Sequence, residues 1–146
     1  MERRFMITGG GTSGHINPAL AIADLLVEVA EENGDDCKII FTGRKIGLEG
    51  ELVPKAGYEF KDVIALPMPY KPTPKALKAM SANNRGKKQC IELIKEFKPD
   101  AVISTGGYVS APLIMAAKKC KVPVMIHEAN AFPGRANKLF ARGSAL

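Results

Sequence analysis

The stretch Phe5-Met6-Ile7-Thr8-Gly9-Gly10-Gly11-Thr12-Ser13-Gly14-His15-Ile16-Asn17-Pro18 opens on an apolar run, turns on glycine and enters an amphipathic helix. This arrangement points backbone N–H groups at a phosphate, because glycine allows close approach to an anion and a helix start leaves its first N–H groups without helical partners. Asn17 is expected to cap the helix, and Pro18 to occupy its first turn. Ile22, Ala23, Leu26, Val29 and Ala30 then follow at helical spacing until Asn33-Gly34 stops the helix. The unit reads as strand, turn, helix, and its first implication is a ligand bearing a diphosphate.

Outward from it the alternation continues. Residues 37–42 read as a second strand, 48–55 as a short helix and 58–64 as a third strand. Pro67, Pro69, Pro72 and Pro74 punctuate a loop that no helix crosses. Residues 75–97 read as helical in their second half, where Ile91, Leu93 and Ile94 are apolar. A fourth strand (101–104), a helix (112–119), a fifth strand (124–127) and a last helix (133–142) complete the chain. Strands alternating with helices give an α/β fold, a Rossmann-like doubly wound parallel sheet covered on both faces. With strands one and four adjacent at the reversal point, the loops after strands one, four and five meet at the sheet's carboxyl edge. Those loops hold residues 9–15, 105–110 and 127–130, and with them both histidines of the chain.

The chain has 146 residues, 46% hydrophobic and 25% charged, the mix of one globular domain with a core. Its net charge of +6 is uneven, since residues 71–88 carry lysines and an arginine but no acid. Such a block suits phosphates or an anionic membrane, or is a solvated basic face. Nucleic acid is not expected as a partner. Cys37, Cys90 and Cys120 are odd in number and far apart, which suggests neither a disulfide framework nor a zinc site and fits a reducing cytoplasm. Met1-Glu2-Arg3-Arg4 leads straight into a strand, and no apolar run approaches the roughly 20 residues of a membrane span, so a soluble or peripheral protein is expected.

Gly9-x-Gly11-x-x-Gly14 satisfies the dinucleotide fingerprint, which keeps an NADP-binding reductase domain among the alternatives. Against it, Phe41-Thr42-Gly43-Arg44 lacks the acid that holds a ribose. Arg44 would suit a 2′-phosphate, but a histidine after the last glycine has no role in that reading.

The combination is more specific than its parts. Gly9-Gly10-Gly11-Thr12-Ser13-Gly14-His15-x-x-Pro18-Ala19-Leu20 is followed by Gly43-Arg44 with Gly47-Leu48-Glu49 and by Lys98-Pro99-Asp100. Gly106-Gly107-Tyr108-Val109-Ser110-x-Pro112 and His127-Glu128-x-Asn130, leading to Pro133-Gly134-x-x-Asn137-Lys138, complete the series. In this order, from about Arg4 to Arg142, the motifs resemble the MurG family of bacterial peptidoglycan N-acetylglucosaminyltransferases.

The resemblance implies a GT-B type enzyme of two facing α/β domains, with residues 1–142 as the amino-terminal, acceptor-binding domain and the donor-binding carboxyl-terminal domain absent. Gly143-Ser144-Ala145-Leu146 looks unlike a strand or a natural stop and is expected to be an appended tail. The implied reaction transfers N-acetylglucosamine from UDP-N-acetylglucosamine to the C4 hydroxyl of undecaprenyl-diphospho-N-acetylmuramoyl-pentapeptide (lipid I), with inversion, at the cytoplasmic face of the bacterial membrane. The 146 residues alone are expected to be inactive. The alternative from another class is a non-catalytic, membrane-recruiting subunit of a split transferase.

Inverting transfer needs a base for the acceptor hydroxyl and positive dipoles for the departing diphosphate. His15 is the leading base, because neutral imidazole accepts a proton near pH 7; the other reading is a histidine that bonds loop carbonyls or orients a substrate oxygen. Glu128 is either the base or the group that holds His15 or Tyr108, and His127 is expected to be structural. By resemblance, Thr12, Ser13 and Gly14, with Gly11 beside them, meet the donor or a diphosphate, and Asn130 faces the donor sugar. Gly106 and Gly107 bind the acceptor diphosphate or form a turn that needs positive φ. Tyr108 would line the acceptor groove. No Asp-x-Asp pair occurs, so no metal and no cofactor are expected, the UDP-sugar being a substrate. Lys75, Leu77, Met80, Arg85, Lys87 and Lys88 form the expected membrane-facing set, more basic than greasy.

Overall fold

The computed structural model describes residues 1–130 and 132–141; the expected tail at 143–146 and the last residue of the expected final helix lie outside them. The order is β1 (Glu2–Thr8), α1 (Ser13–Glu32), β2 (Asp36–Gly43), α2 (Leu48–Lys55), β3 (Glu59–Asp62), α3 (Pro74–Phe97), β4 (Ala101–Ser104), a 3-10 turn (Tyr108–Ser110), α4 (Ala111–Lys119), β5 (Val124–Ile126) and α5 (Arg135–Phe140). The strands pair in parallel in the order β3-β2-β1-β4-β5. β1 thus lies between β2 and β4, and the reversal point falls between β1 and β4 as the doubly wound reading expects.

Side chains on successive strand residues point to opposite faces, and the two faces carry separate cores. Ile7, Ile39, Phe41 and Ile103 pack with Ala19 and Ala23 of α1 and Val53 of α2. Met6, Ile40, Val102, Val124 and Ile126 pack with Cys90 and Ile94 of α3 and with Leu113, Ile114, Ala116 and Ala117 of α4. Burial pushes the Cys90 thiol up to about 12, the mark of an inert core cysteine.

Three helix starts differ from the sequence reading by two residues or more; the first strand also begins earlier, at Glu2, and the third is shorter than expected, Glu59–Asp62. Helix α1 begins at Ser13, with Thr12 as its extended N-cap, so Asn17 is not the cap and Pro18 lies inside the helix. The earlier start is held by the Thr12 carbonyl, which accepts from the His15 and Ile16 N–H groups, and by Thr105 Oγ1, which donates to the His15 carbonyl at 2.6 Å. Helix α3 is helical from Pro74 onward, not only in its second half. Asn83, buried on its inner face, donates to the Leu66 carbonyl and accepts from the Leu66 N–H, and this pairing docks the first turns under the proline loop. Helix α5 starts at Arg135 rather than Pro133, because the Gly134 N–H is committed to Glu128.

Candidate active site

The three loops at the carboxyl edge are joined by backbone hydrogen bonds. Gly10 N–H donates to the Gly106 carbonyl at 3.3 Å, Thr105 N–H to Thr8 at 3.0 Å, and His127 N–H to Ser104 at 2.8 Å. Glycine is needed where these loops touch. A Cβ on Gly9 would stand 1.9 Å from Thr105 Oγ1, and one on Gly107 would stand 2.3 Å from the Gly10 carbonyl oxygen. Gly106 and Gly107 also have φ values of 109° and 88°.

His15 sits in the first turn of α1, half-buried, with its ring against Gly106 and Gly107. Its Nδ1 lies 3.0 Å from the Gly10 carbonyl oxygen and 3.2 Å from Thr12 Oγ1. A carbonyl can only accept, so this contact calls for a proton on Nδ1, and in the neutral ring the lone pair is then on Nε2. Of the two sequence readings of His15, the structure shows the contact with a loop carbonyl. That bond leaves the opposite nitrogen able to take a proton.

Glu128 does not hold His15 or Tyr108. Its Oε1 accepts from the Asn130 N–H and Nδ2 (both 3.1 Å), and its Oε2 accepts from the Gly134 N–H (2.6 Å) and Asn137 Nδ2 (3.0 Å). These donors, led by the Gly134 N–H, hold its carboxyl below the ordinary value. A carboxylate supplied in this way keeps its charge and shapes the loop between β5 and α5. Asn137, 3% exposed, also donates to the His127 carbonyl, and its Oδ1 has no hydrogen-bond partner among the described residues.

A cleft of about 420 Å³ opens in front of these loops. His15, Gly106, Gly107, Tyr108, Glu128 and Asn137 line its polar end, and Leu66, Met68, Leu139 and Phe140 give it apolar walls. Arg135 closes one side by donating to the Met68 and Pro69 carbonyls and stacking 4.2 Å over the Tyr70 ring. Tyr108 accepts at its hydroxyl from Arg44 at 3.3 Å, so the arginine that would have suited a 2′-phosphate is engaged inside the site. Thr12, Ser13 and Gly14 are exposed at the start of α1. Gly11 turns the chain at φ 83° and gives its N–H to Glu49 rather than to the cleft. Asn130 is exposed beside Glu128 and does not line the cleft.

The expected membrane-facing residues all lie on α3. Leu77 (70% exposed) and Met80 are in its first turns, with Lys75 near its start and Lys88 about three turns beyond Leu77. Lys87 is half-buried, and Arg85 turns toward a smaller cavity that it shares with Arg44. No helix among the described residues is long and apolar enough to cross a membrane.

Residues 5–144 match the glycosyltransferase family 28 N-terminal domain. The chain belongs to glycosyltransferase family 28. As a family 28 domain it is 42% identical over 139 residues to the UDP-N-acetylglucosamine–N-acetylmuramyl-(pentapeptide) pyrophosphoryl-undecaprenol N-acetylglucosamine transferase of a Thermoanaerobacter species, which covers 95% of this chain and 37% of that relative. The enzyme of the same name from Lactococcus lactis is 41% identical over 95% of this chain and 38% of its own length. The crystal structure of Acinetobacter baumannii MurG superposes with a TM-score of 0.82 at 28% identity, over 99% of this chain and 40% of that one. The UDP-GlcNAc 2-epimerase of Neisseria meningitidis, with a TM-score of 0.59 at 17% identity, shares the fold alone. The family 28 chain thus spans about two-fifths or less of the length of the relatives named here.

Reading the sequence left Glu49, Asn137 and Arg135 of this family 28 domain without roles. Glu49 is 1% exposed, and its carboxylate accepts from the Gly11 and Arg44 N–H groups. A glutamate preceded by Gly43 and Gly47 was the available signal. The Arg44 N–H is near it in the chain, but Gly11 is brought to it from the loop after β1, where spacing along the chain does not reach.

Proposed function

We propose that this chain is the acceptor-side half of an inverting N-acetylglucosaminyltransferase that converts lipid I to the lipid-linked disaccharide precursor of peptidoglycan, using UDP-N-acetylglucosamine as donor. The observation that carries this reading is the His15 imidazole, held at Nδ1 by the Gly10 carbonyl on the lining of the cleft. In the reaction, Nε2 takes the proton of the acceptor's C4 hydroxyl as that oxygen attacks the anomeric carbon. The bond to UDP breaks on the opposite face, and the diphosphate leaves with the electron pair. The start of α1, with Thr12, Ser13 and Gly14 exposed, offers N–H groups and a positive dipole to a diphosphate. No cofactor enters this scheme.

The names of the relatives and the share of their length covered here support a second, donor-binding domain facing this one. The exposed Leu77 and Met80 with Lys75, Lys87 and Lys88 on α3, and Tyr70 on the neighbouring loop, support peripheral attachment to the anionic cytoplasmic face of the membrane. The test is transfer of labelled N-acetylglucosamine to a short-chain lipid I analogue by the chain joined to a family 28 donor-side domain. Wild type is expected to transfer, and His15→Ala to lose about a hundredfold or more in kcat. No transfer by wild type would overturn the reading. Turnover by the 146 residues alone would overturn its division into two halves.

A further inference from the structure

Glu49 is a buried carboxylate that the reaction scheme does not use. Its Oε2 accepts the Gly11 N–H at 3.2 Å. That N–H belongs to the same peptide group as the Gly10 carbonyl, whose oxygen meets His15 Nδ1 at 3.0 Å. The described residues contain no cis peptide bond, so the N–H and C=O of this group point in opposite directions. One rigid plane therefore has a carboxylate at one edge and an imidazole at the other. A carboxylate that accepts the N–H polarises the peptide and strengthens its carbonyl as an acceptor. The second oxygen, Oε1, accepts the Arg44 N–H at 3.1 Å, and the Arg44 side chain reaches the Tyr108 hydroxyl in the cleft.

The surroundings are built for this carboxylate. A Cβ on Gly10, Gly43 or Gly47 would stand 2.6 to 2.7 Å from Glu49 side-chain atoms, so glycines in the loop after β1, at the end of β2 and in the loop after β2 make room for one side chain. The close approach of Gly107 to the Gly10 oxygen keeps the far edge of the plane in place.

We infer that Glu49 is a positioning residue that sets the tautomer of His15 through the Gly10–Gly11 peptide, and the placement of Tyr108 through Arg44. The carboxylate orders the peptide, the carbonyl holds the proton on Nδ1, and the Nε2 lone pair is left for the acceptor hydroxyl. A backbone carbonyl that selects a histidine tautomer is a recurrent device; here a carboxylate stands behind it.

The test reads the tautomer directly by long-range ¹⁵N–¹H correlation on the 146-residue chain, where His127 is the only other histidine and serves as the control. Wild type is expected to show His15 as the Nδ1–H tautomer. Glu49→Gln replaces one acceptor oxygen by a donor, and is expected to move His15 toward the Nε2–H form with His127 unchanged. Thr12→Val, which removes the other oxygen within reach of Nδ1, is expected to keep the wild-type tautomer.

A folded Glu49→Gln chain with His15 unchanged would overturn the inference, as would an Nε2–H tautomer in wild type. Should Glu49→Gln fail to fold, amide exchange in the wild-type chain decides. Gly11 and Arg44 amides are expected to exchange at least about tenfold more slowly than that of the exposed Gly14, and equal rates would overturn the inference. The step from tautomer to turnover rests on the transferase reading above. In the two-domain enzyme, Glu49→Gln is expected to lower kcat by about tenfold or more with KM for UDP-N-acetylglucosamine unchanged. An altered tautomer with unaltered kcat would overturn the positioning role while leaving the transferase reading standing. Absence of turnover in wild type would overturn that reading while leaving the tautomer result intact.

Discussion

Glu128 shows how one side chain can organise a loop. Its four donors come from Asn130 and Gly134 of the loop after β5 and from Asn137 of α5, and they lower its carboxyl below the ordinary value. A carboxyl lowered on folding adds stability wherever the unfolded chain would be ionised, that is above about pH 4.3, and the contribution is lost as pH falls through the lower folded value. The amide of Gly134 is therefore expected to lose its protection from exchange as the solution is acidified below about pH 4. Glu128→Gln, which has no charge to titrate, is expected to show weak protection at every pH, measured by amide exchange from pH 3 to 7. His15, Gly106 and Tyr108 were legible in the sequence because glycine turns and a lone histidine mark loops. The saturation of Glu128 was not, because a carboxylate reads the same in sequence whether its oxygens face N–H donors or water.

Helix α3 carries the residue at which local propensity and packing disagree most. Gly86 lies inside the helix, where alanine ordinarily stabilises by about 1 kcal/mol. Here a Cβ would stand 1.8 Å from the Ile64 carbonyl oxygen and 3.1 Å from Pro112, so the sign reverses. Gly86→Ala is expected to destabilise by about 1–3 kcal/mol in urea denaturation, since backbone and helix must move apart. The same contact explains the first half of α3. Apolar periodicity is weak from Pro74 to Arg85, and the helix forms there because Ala79, Ala82, Asn83 and Gly86 are buried, with Asn83 paired to Leu66 and Gly86 lying against Ile64 and Pro112 of α4. Helix α1 gives the converse lesson. Asn17 and Pro18 look like a cap and a first turn, yet Thr105 from β4's loop pins the His15 carbonyl and draws the helix start back to Ser13.

The molecule as a whole presents its chemistry and its basic, partly apolar helix on one family 28 domain. If α3 is the membrane-facing element, binding to vesicles containing phosphatidylserine should depend on both kinds of residue. Each cation near such a surface is worth about 1 kcal/mol, so Lys75→Ser with Lys87→Ser and Lys88→Ser is expected to reduce partitioning by at least about tenfold. Leu77→Ser with Met80→Ser should weaken binding that remains at high salt, because burial of apolar side chains is not screened. Co-sedimentation at low and high salt checks both, and unchanged partitioning in both variants would remove α3 from the membrane interface.

The alternation of strand and helix, the reversal between β1 and β4 and the gathering of both histidines at one sheet edge were legible along the chain. They follow from hydrophobic periodicity, from glycine and proline as punctuation, and from the right-handed way parallel strands connect. The relations between loops came only with folding. Gly10 is glycine because of Glu49, Gly9 because of Thr105 and Gly107 because of Gly10. The reason is physical: a residue's type is written in the chain, but the atoms that compete for its space and its hydrogen bonds are brought to it from distant positions by the sheet.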